Sequence, residues 1–170
     1  MKKAVLTLML TVVSAIFLNA QSLTGKPWYA KLLDDEGTEI VLTFTFETDG
    51  TYELIVATEY EIKEDNVPIN LIGGVAVPGT YTRKGNDLKL KPQRNKAEVE
   101  LDYDIKGMDA KTKALMDKEI RDEINGLKNE FKNEMLDGLP KMQNMKIVSL
   151  ESKRLILKDD AGDEIPFYSE

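Results

Sequence analysis

Glu39-Ile40-Val41-Leu42-Thr43-Phe44-Thr45-Phe46-Glu47-Thr48-Asp49-Gly50-Thr51-Tyr52-Glu53-Leu54-Ile55-Val56 is the stretch on which the fold turns. Ile40, Leu42, Phe44 and Phe46 alternate with Val41, Thr43 and Thr45, the period-two pattern of a strand rich in β-branched and aromatic residues. The turn Thr48-Asp49-Gly50 leads directly into Thr51 to Tyr60, where Tyr52, Leu54 and Val56 share one face. Two such runs around an Asp-Gly turn predict an antiparallel hairpin.

Working outward, the same alternation recurs on both sides. Trp28 to Leu33 reads as a first strand, joined to the hairpin by Asp34-Asp35-Glu36-Gly37, a loop whose glycine can take a left-handed conformation. Downstream, Pro68 and Gly73-Gly74 mark Glu61 to Gly74 as a loop or a bulged, irregular edge. Strands resume at Val77 to Arg83 and, after the turn Lys84-Gly85-Asn86, at Asp87 to Lys91. Next, Val99, Leu101, Tyr103 and Ile105 alternate with Glu98, Glu100, Asp102 and Asp104, which predicts one buried face and one row of carboxylates. Carboxylates two residues apart on a strand lie about 7 Å from each other, too flat an array for a calcium ion that wants several converging oxygens. Lys89 and Lys91, on the preceding strand, are expected opposite these acids as cross-strand charge pairs.

Between Gly107 and Pro140 the period changes. Met116, Ile120, Ile124, Leu127, Phe131 and Met135 recur every three or four residues, which places them on one side of an α-helix. Asp109 is the expected N-cap and Gly138 with Pro140 the stop, so the helix runs from about Ala110 to Asp137, with Gly126 as a point of weakness. Eight acids and six bases fall between Asp109 and Asp137, a mixed polar face that does not suit an anionic membrane; the apolar stripe is expected to pack on its own domain. Met145 to Leu150, Arg154 to Lys158 and Glu164 to Tyr168 complete the pattern as three strands. The loop at Asp159-Asp160-Ala161-Gly162 repeats the D-D-x-G-x-E-I pattern of the first hairpin; turn chemistry accounts for it better than calcium, whose loop needs alternating acids and a distant Glu.

Composition narrows the chemistry. Among the 170 residues there is no Cys and no His, which removes disulfides, thiolate and imidazole catalysis, and Cys or His metal sites. Lys plus Arg number 23 against 30 Asp plus Glu, a net charge of −7, which speaks against nucleic acid as a partner. At the N-terminus, Lys2 and Lys3 precede an apolar run from Ala4 to Leu18. That run is shorter than the roughly 20 residues of a membrane span and fits a signal peptide. Cleavage after Ala20 is expected, with Ala15 as the alternative. The product is a single acidic domain, residues 21–170, with charge −9 once Lys2 and Lys3 are lost, exported to the periplasm or beyond and carrying no transmembrane anchor.

Eight or nine short antiparallel strands, with one long helix inserted before the last three, predict a mainly β fold: an up-and-down sheet closed on itself. Gly25-Lys26-Pro27-Trp28, Leu42 to Tyr52, Gly79-Thr80-Tyr81 with Gly85 to Leu90, and Leu155 to Asp159 together resemble the bacterial exported lipocalin-like domains. Two features depart from that pattern: the family's Gly-x-Trp is stretched to Gly-x-x-Trp, and the helix precedes the last strands instead of following the barrel. The resemblance implies a barrel of about eight strands whose interior is filled or holds one small ligand. Leu42, Phe44, Phe46, Tyr52, Leu54, Val56, Tyr81, Leu90, Leu101, Tyr103 and Leu157 are expected to point inward. Phe44, Phe46, Tyr52, Leu54, Tyr81 and Tyr103 are the candidate ligand contacts, and Trp28 is the expected plug at one barrel end. The function that follows is binding of a small apolar or amphipathic molecule, with the Glu61 to Gly74 loop or the helix gating the mouth. No cofactor, metal or catalysis is expected. The alternative is an envelope interaction or inhibitor domain that uses the helix or the acidic face.

Overall fold

A computed structural model describes residues 22–33, 37–64, 67–105, 110–137 and 142–170 of the chain. The leader and its cleavage sites, the loop residues 34–36, the N-cap Asp109 and the stop at Gly138 and Pro140 lie outside the described residues. Nine strands and one long helix follow in the order β1 (Pro27–Leu33), β2 (Glu39–Phe46), β3 (Thr51–Glu64), β4 (Val67–Lys84), β5 (Asp87–Pro92), β6 (Glu98–Ile105), α1 (Ala110–Asp137), β7 (Asn144–Leu150), β8 (Arg154–Lys158) and β9 (Glu164–Tyr168). All strand pairs are antiparallel.

The opening stretch forms the hairpin its pattern predicts, with Leu42 opposite Val56, Phe44 opposite Leu54 and Phe46 opposite Tyr52. Its turn is fixed by Asp49, whose Oδ1 accepts the Thr51 N–H at 2.9 Å and the Thr51 hydroxyl at 2.6 Å, while Gly50 takes a φ of 86°. Each strand then pairs with the next from β1 to β5, β5 pairs with β7, and β7 to β9 continue the meander. Tyr29 on β1 lies opposite Tyr168 on β9. Eight strands thus close into a barrel with β6 as a ninth outside the circuit.

Strand β6 finds its place because β4 is long. At 18 residues and about 3.3 Å per residue it reaches nearly 60 Å, too far for one neighbour to cover. Its second half, Gly79 to Lys84, pairs with β5; its first half, Ile69 to Ala76, pairs on the same edge with β6. The helix α1 crosses the inward face of this β3–β4–β6 extension, burying Ile120, Ile124, Phe131 and Leu136. Its C-terminal half is tied back by Lys132 Nζ, which donates to the Ala97 carbonyl, and by an Arg94–Asp137 ion pair at 3.0 Å.

Three expectations change. Glu61 to Gly74 is not a loop: residues up to Glu64 extend β3, residues from Val67 belong to β4, and Pro68 lies opposite Lys63 in the ladder. Of the two glycines there, Gly73 serves close approach. A methyl group on Gly73 would stand 2.4 Å from Phe131 Cζ and 2.9 Å from Leu101 Cδ1, so only glycine lets the helix ring sit against the sheet. The acids of β6 also do not face Lys89 and Lys91. Pairing with β4 sets Glu98, Glu100, Asp102 and Asp104 opposite Ala76, Gly74, Ile72 and Asn70, while Lys89 and Lys91 lie opposite Thr82 and Thr80. Finally, Leu127 of the helix stripe is 38% exposed, and Leu136 takes a buried place instead.

Candidate functional site

The expected inward residues do point inward. Leu42, Phe44, Phe46, Tyr52, Leu54, Val56, Leu90, Leu101, Tyr103 and Leu157 are buried, and Tyr81 packs half-buried against them. Four of the candidate ligand residues meet in one aromatic cluster. The Phe44 and Phe46 rings stack at 5.2 Å, Phe46 meets Tyr81 edge-on at 5.1 Å, and Tyr52 lies 5.9 Å from Phe44 and 6.1 Å from Phe46. Phe167 of β9 completes the cluster 5.6 Å from Phe44. These are the separations of rings that fill space by packing on each other. The void beside Tyr52 and Leu54 measures about 10 Å³, no larger than the space one water needs. Tyr103 lies apart from the cluster, on β6, where the Arg121 guanidinium stands 5.5 Å from its ring.

Polar edges of the cluster are tied to backbone. Tyr81 Oη donates to the Glu47 carbonyl at 2.8 Å, and burial, then the charge of Asp49, hold its phenol above the usual range against the opposing pull of Arg83. Burial alone pushes the Tyr52 phenol up to about 12. Trp28 is fully buried, its indole Nε1 donating to the Leu23 carbonyl at 2.8 Å with the Lys26 ammonium 4.3 Å from the ring centre. The segment before β1 is thereby held against the Trp28 ring, and its Gly25 N–H donates to the Phe46 carbonyl at 3.4 Å.

Open volume lies elsewhere, where the first turn of β2 and the protruding part of β3 face the helix. There a groove of about 640 Å³ is bounded by Gly37 to Ile40, by Thr58, Glu59 and Glu61, and by Phe131, Glu134 and Met135. It exists because β3 runs past the start of β2: Ile40 pairs with Thr58, and β3 continues to Glu64 along β4 alone. Thr58, although buried, is satisfied by donating to the Glu39 carbonyl at 3.0 Å. Lys31 Nζ lies 2.8 Å from Glu39 Oε1, and Asn70 Nδ2 donates to Glu59 Oε1 at 2.5 Å. A second hollow of about 500 Å³ adjoins it on the outer face, between Val41, Ala57 and Ile72 and the same glutamates.

None of the six candidate ligand residues lines this groove. Its own residues come from three separate segments of the chain, each with an ordinary local pattern; only the helix stripe, which contains Phe131 and Met135, points towards it. The acidic loops carry turn chemistry, as at Asp159, whose Oδ1 accepts the Gly162 and Asp163 N–H groups, both at 2.9 Å. Among the described residues no three carboxylates converge as a metal site, and no helix is long and apolar enough to cross a membrane. No protein-family model matches the chain, and no curated protein is similar to it.

Proposed function

We propose that this protein is an exported, lipocalin-like binding module that takes one small apolar or amphipathic molecule, without catalysis, at the barrel mouth beside α1. The observation that carries the reading is the groove of about 640 Å³ with Ile40, Phe131 and Met135 among its lining, a volume within the range of small-molecule sites. The packed aromatic interior supports the mouth over the barrel centre as the place of binding. Export rests on Lys2, Lys3 and the apolar run Ala4 to Leu18. Intact-mass analysis of the secreted product tests it, with a chain starting at Gln21 or Ile16 expected and retention of Met1 to Ala15 counting against it.

Binding is tested by titrating fluorescent lipophilic reporters and by native mass spectrometry. Saturable one-to-one binding, abolished by Met135→Asp and unaffected by Phe44→Leu, is expected; loss on Phe44→Leu alone moves the site into the barrel. A second reading, an interaction domain, is favoured by one feature. Strand β6 ends the sheet order and carries four carboxylates outward. Pull-down with the intact chain and a chain lacking residues 108–140 separates the two, since unchanged partners after deletion remove the helix from consideration.

A further inference from the structure

Strand β1 is paired unequally on its two sides. Against β2 it is in register over its whole length, Pro27 to Leu33, whereas against β9 it pairs only at Tyr29, opposite Tyr168. The sequence of β9 accounts for so short a seam. Ser169 N–H donates to the Lys153 carbonyl at 3.1 Å, and before the strand the Asp163 carbonyl accepts the Asp159 N–H at 3.0 Å. Backbone groups alternate sides along a strand, so Ile165 and Phe167, in step with these two residues, face β8, and Pro166 turns its backbone towards β1. Proline has no N–H to give there, and the ladder ends before it would set Pro166 opposite Lys31.

Side-chain packing and one strap hold the seam instead. Phe167 of β9 meets Phe44 at 5.6 Å, both rings fully buried. Lys26, just before β1, reaches across the seam and donates from Nζ to the Ser152 carbonyl in the turn between β7 and β8. On its other side the β7–β9 meander pairs with β5 over a short stretch, Asp87 to Lys89 with Asn144 to Lys146. Within the meander the ladders are longer, Arg154 to Lys158 being in register with Glu164 to Tyr168 throughout. Few directional bonds therefore break when the three strands part from β1 as one body, and such sub-global openings lie below the free energy of complete unfolding. We propose that the barrel has a gate at the β1–β9 seam: the β7–β9 meander swings on its β5 pairing as a leaf, and Lys26 is the latch.

The chain has no cysteine, so one introduced thiol reports the opening by its reaction with a disulfide reagent under native conditions. Ala30→Cys places it on β1 beside the seam, at a position 3% exposed, and Val75→Cys places it at a fully buried position in register between β3 and β6. The Ala30 thiol is expected to react about tenfold or more faster, and with little dependence on low urea, because a local opening exposes little surface. In that background Pro166→Val, which restores the missing donor at an exposed position, is expected to slow the reaction about fivefold. Lys26→Met is expected to speed it about threefold and to leave the Val75 thiol unchanged. Equal rates for the two thiols, or no effect of Pro166→Val, overturn the gate, and no effect of Lys26→Met overturns the latch. Amide exchange of the unmodified chain supplies a reading without substitution: Tyr168 N–H, facing β1, is expected to exchange faster than Phe167 N–H, facing β8. Equal exchange at the two overturns the leaf, since β9 then frays by itself.

Discussion

At Gly73 a missing side chain decides where an entire helix sits. A methyl group there meets Phe131 and Leu101 well inside contact distance, whereas at the adjacent Gly74 the nearest atoms stand 3.8 Å and 3.9 Å away. Gly73→Ala is therefore expected to cost about 1–3 kcal/mol by overpacking, and Gly74→Ala to stay within about 0.5 kcal/mol. Both are read from denaturant unfolding. Phe131→Leu, costly alone, is expected to recover part of the loss in the Gly73→Ala background, and a double-mutant cycle reports that coupling. Tyr52 gives a second residue-scale prediction. Its phenol titrates at about 12 in the folded chain and near 10 when unfolded, so its contribution to stability is complete below pH 10 and is lost as pH rises to 12. Alkaline unfolding should be less steep in that window for Tyr52→Phe, and phenolate absorbance should lose its latest step. Residues of this kind were half legible. The alternation around Phe44 and Tyr52 tells which way the side chains point, but a glycine in the sequence signals a break as readily as a close contact, and Gly73-Gly74 after Pro68 carries no local mark of the second.

Among the elements, β6 is an exposed edge, paired on one side only, with β4. The Tyr103 N–H is taken by the neighbouring Asp102 carboxylate at 2.9 Å, so the strand both charges its edge and occupies one of its donors, two ways in which sheets resist pairing with other chains. Asp102→Ala frees that donor and removes one of the four carboxylates that charge the edge. A concentration-dependent rise in apparent mass by sedimentation is expected for that variant, and an unchanged monomer would show that the edge is guarded by other means. Helix α1 and the strands flanking its insertion were legible from period alone, because 3.6 and 2 are local properties of a segment. The partner of β6 was not. Its alternation is the same whether it pairs with β5 or with the far half of β4; what selects β4 is that strand's length, hidden behind Pro68 and two glycines.

In the whole molecule, the barrel interior and the groove answer different questions. Inward-facing aromatics are equally consistent with a ligand cavity and with a solid core, and only the ring separations distinguish them. Phe44→Ala, at a fully buried position, is expected to cost about 3–5 kcal/mol and to create a dry cavity that binds small apolar solutes such as benzene. The unmodified barrel should bind none there; prior occupancy would contradict the packed interior. The groove escaped the sequence because Ile40, Thr58 and Phe131 meet only after three distant segments fold, and no local period records that meeting.

Joining the first strand to the last has a kinetic consequence. Tyr29 and Tyr168 are opposite each other but separated by nearly the whole chain, so the barrel cannot shut until its final strand has arrived, and the entropy of that long loop must be met before the seam repays it. Such non-local topology places refolding in the millisecond-to-second range. A chain ending before Glu164 would hold its hairpins open along β1 and β8, two unpaired strands waiting for one another.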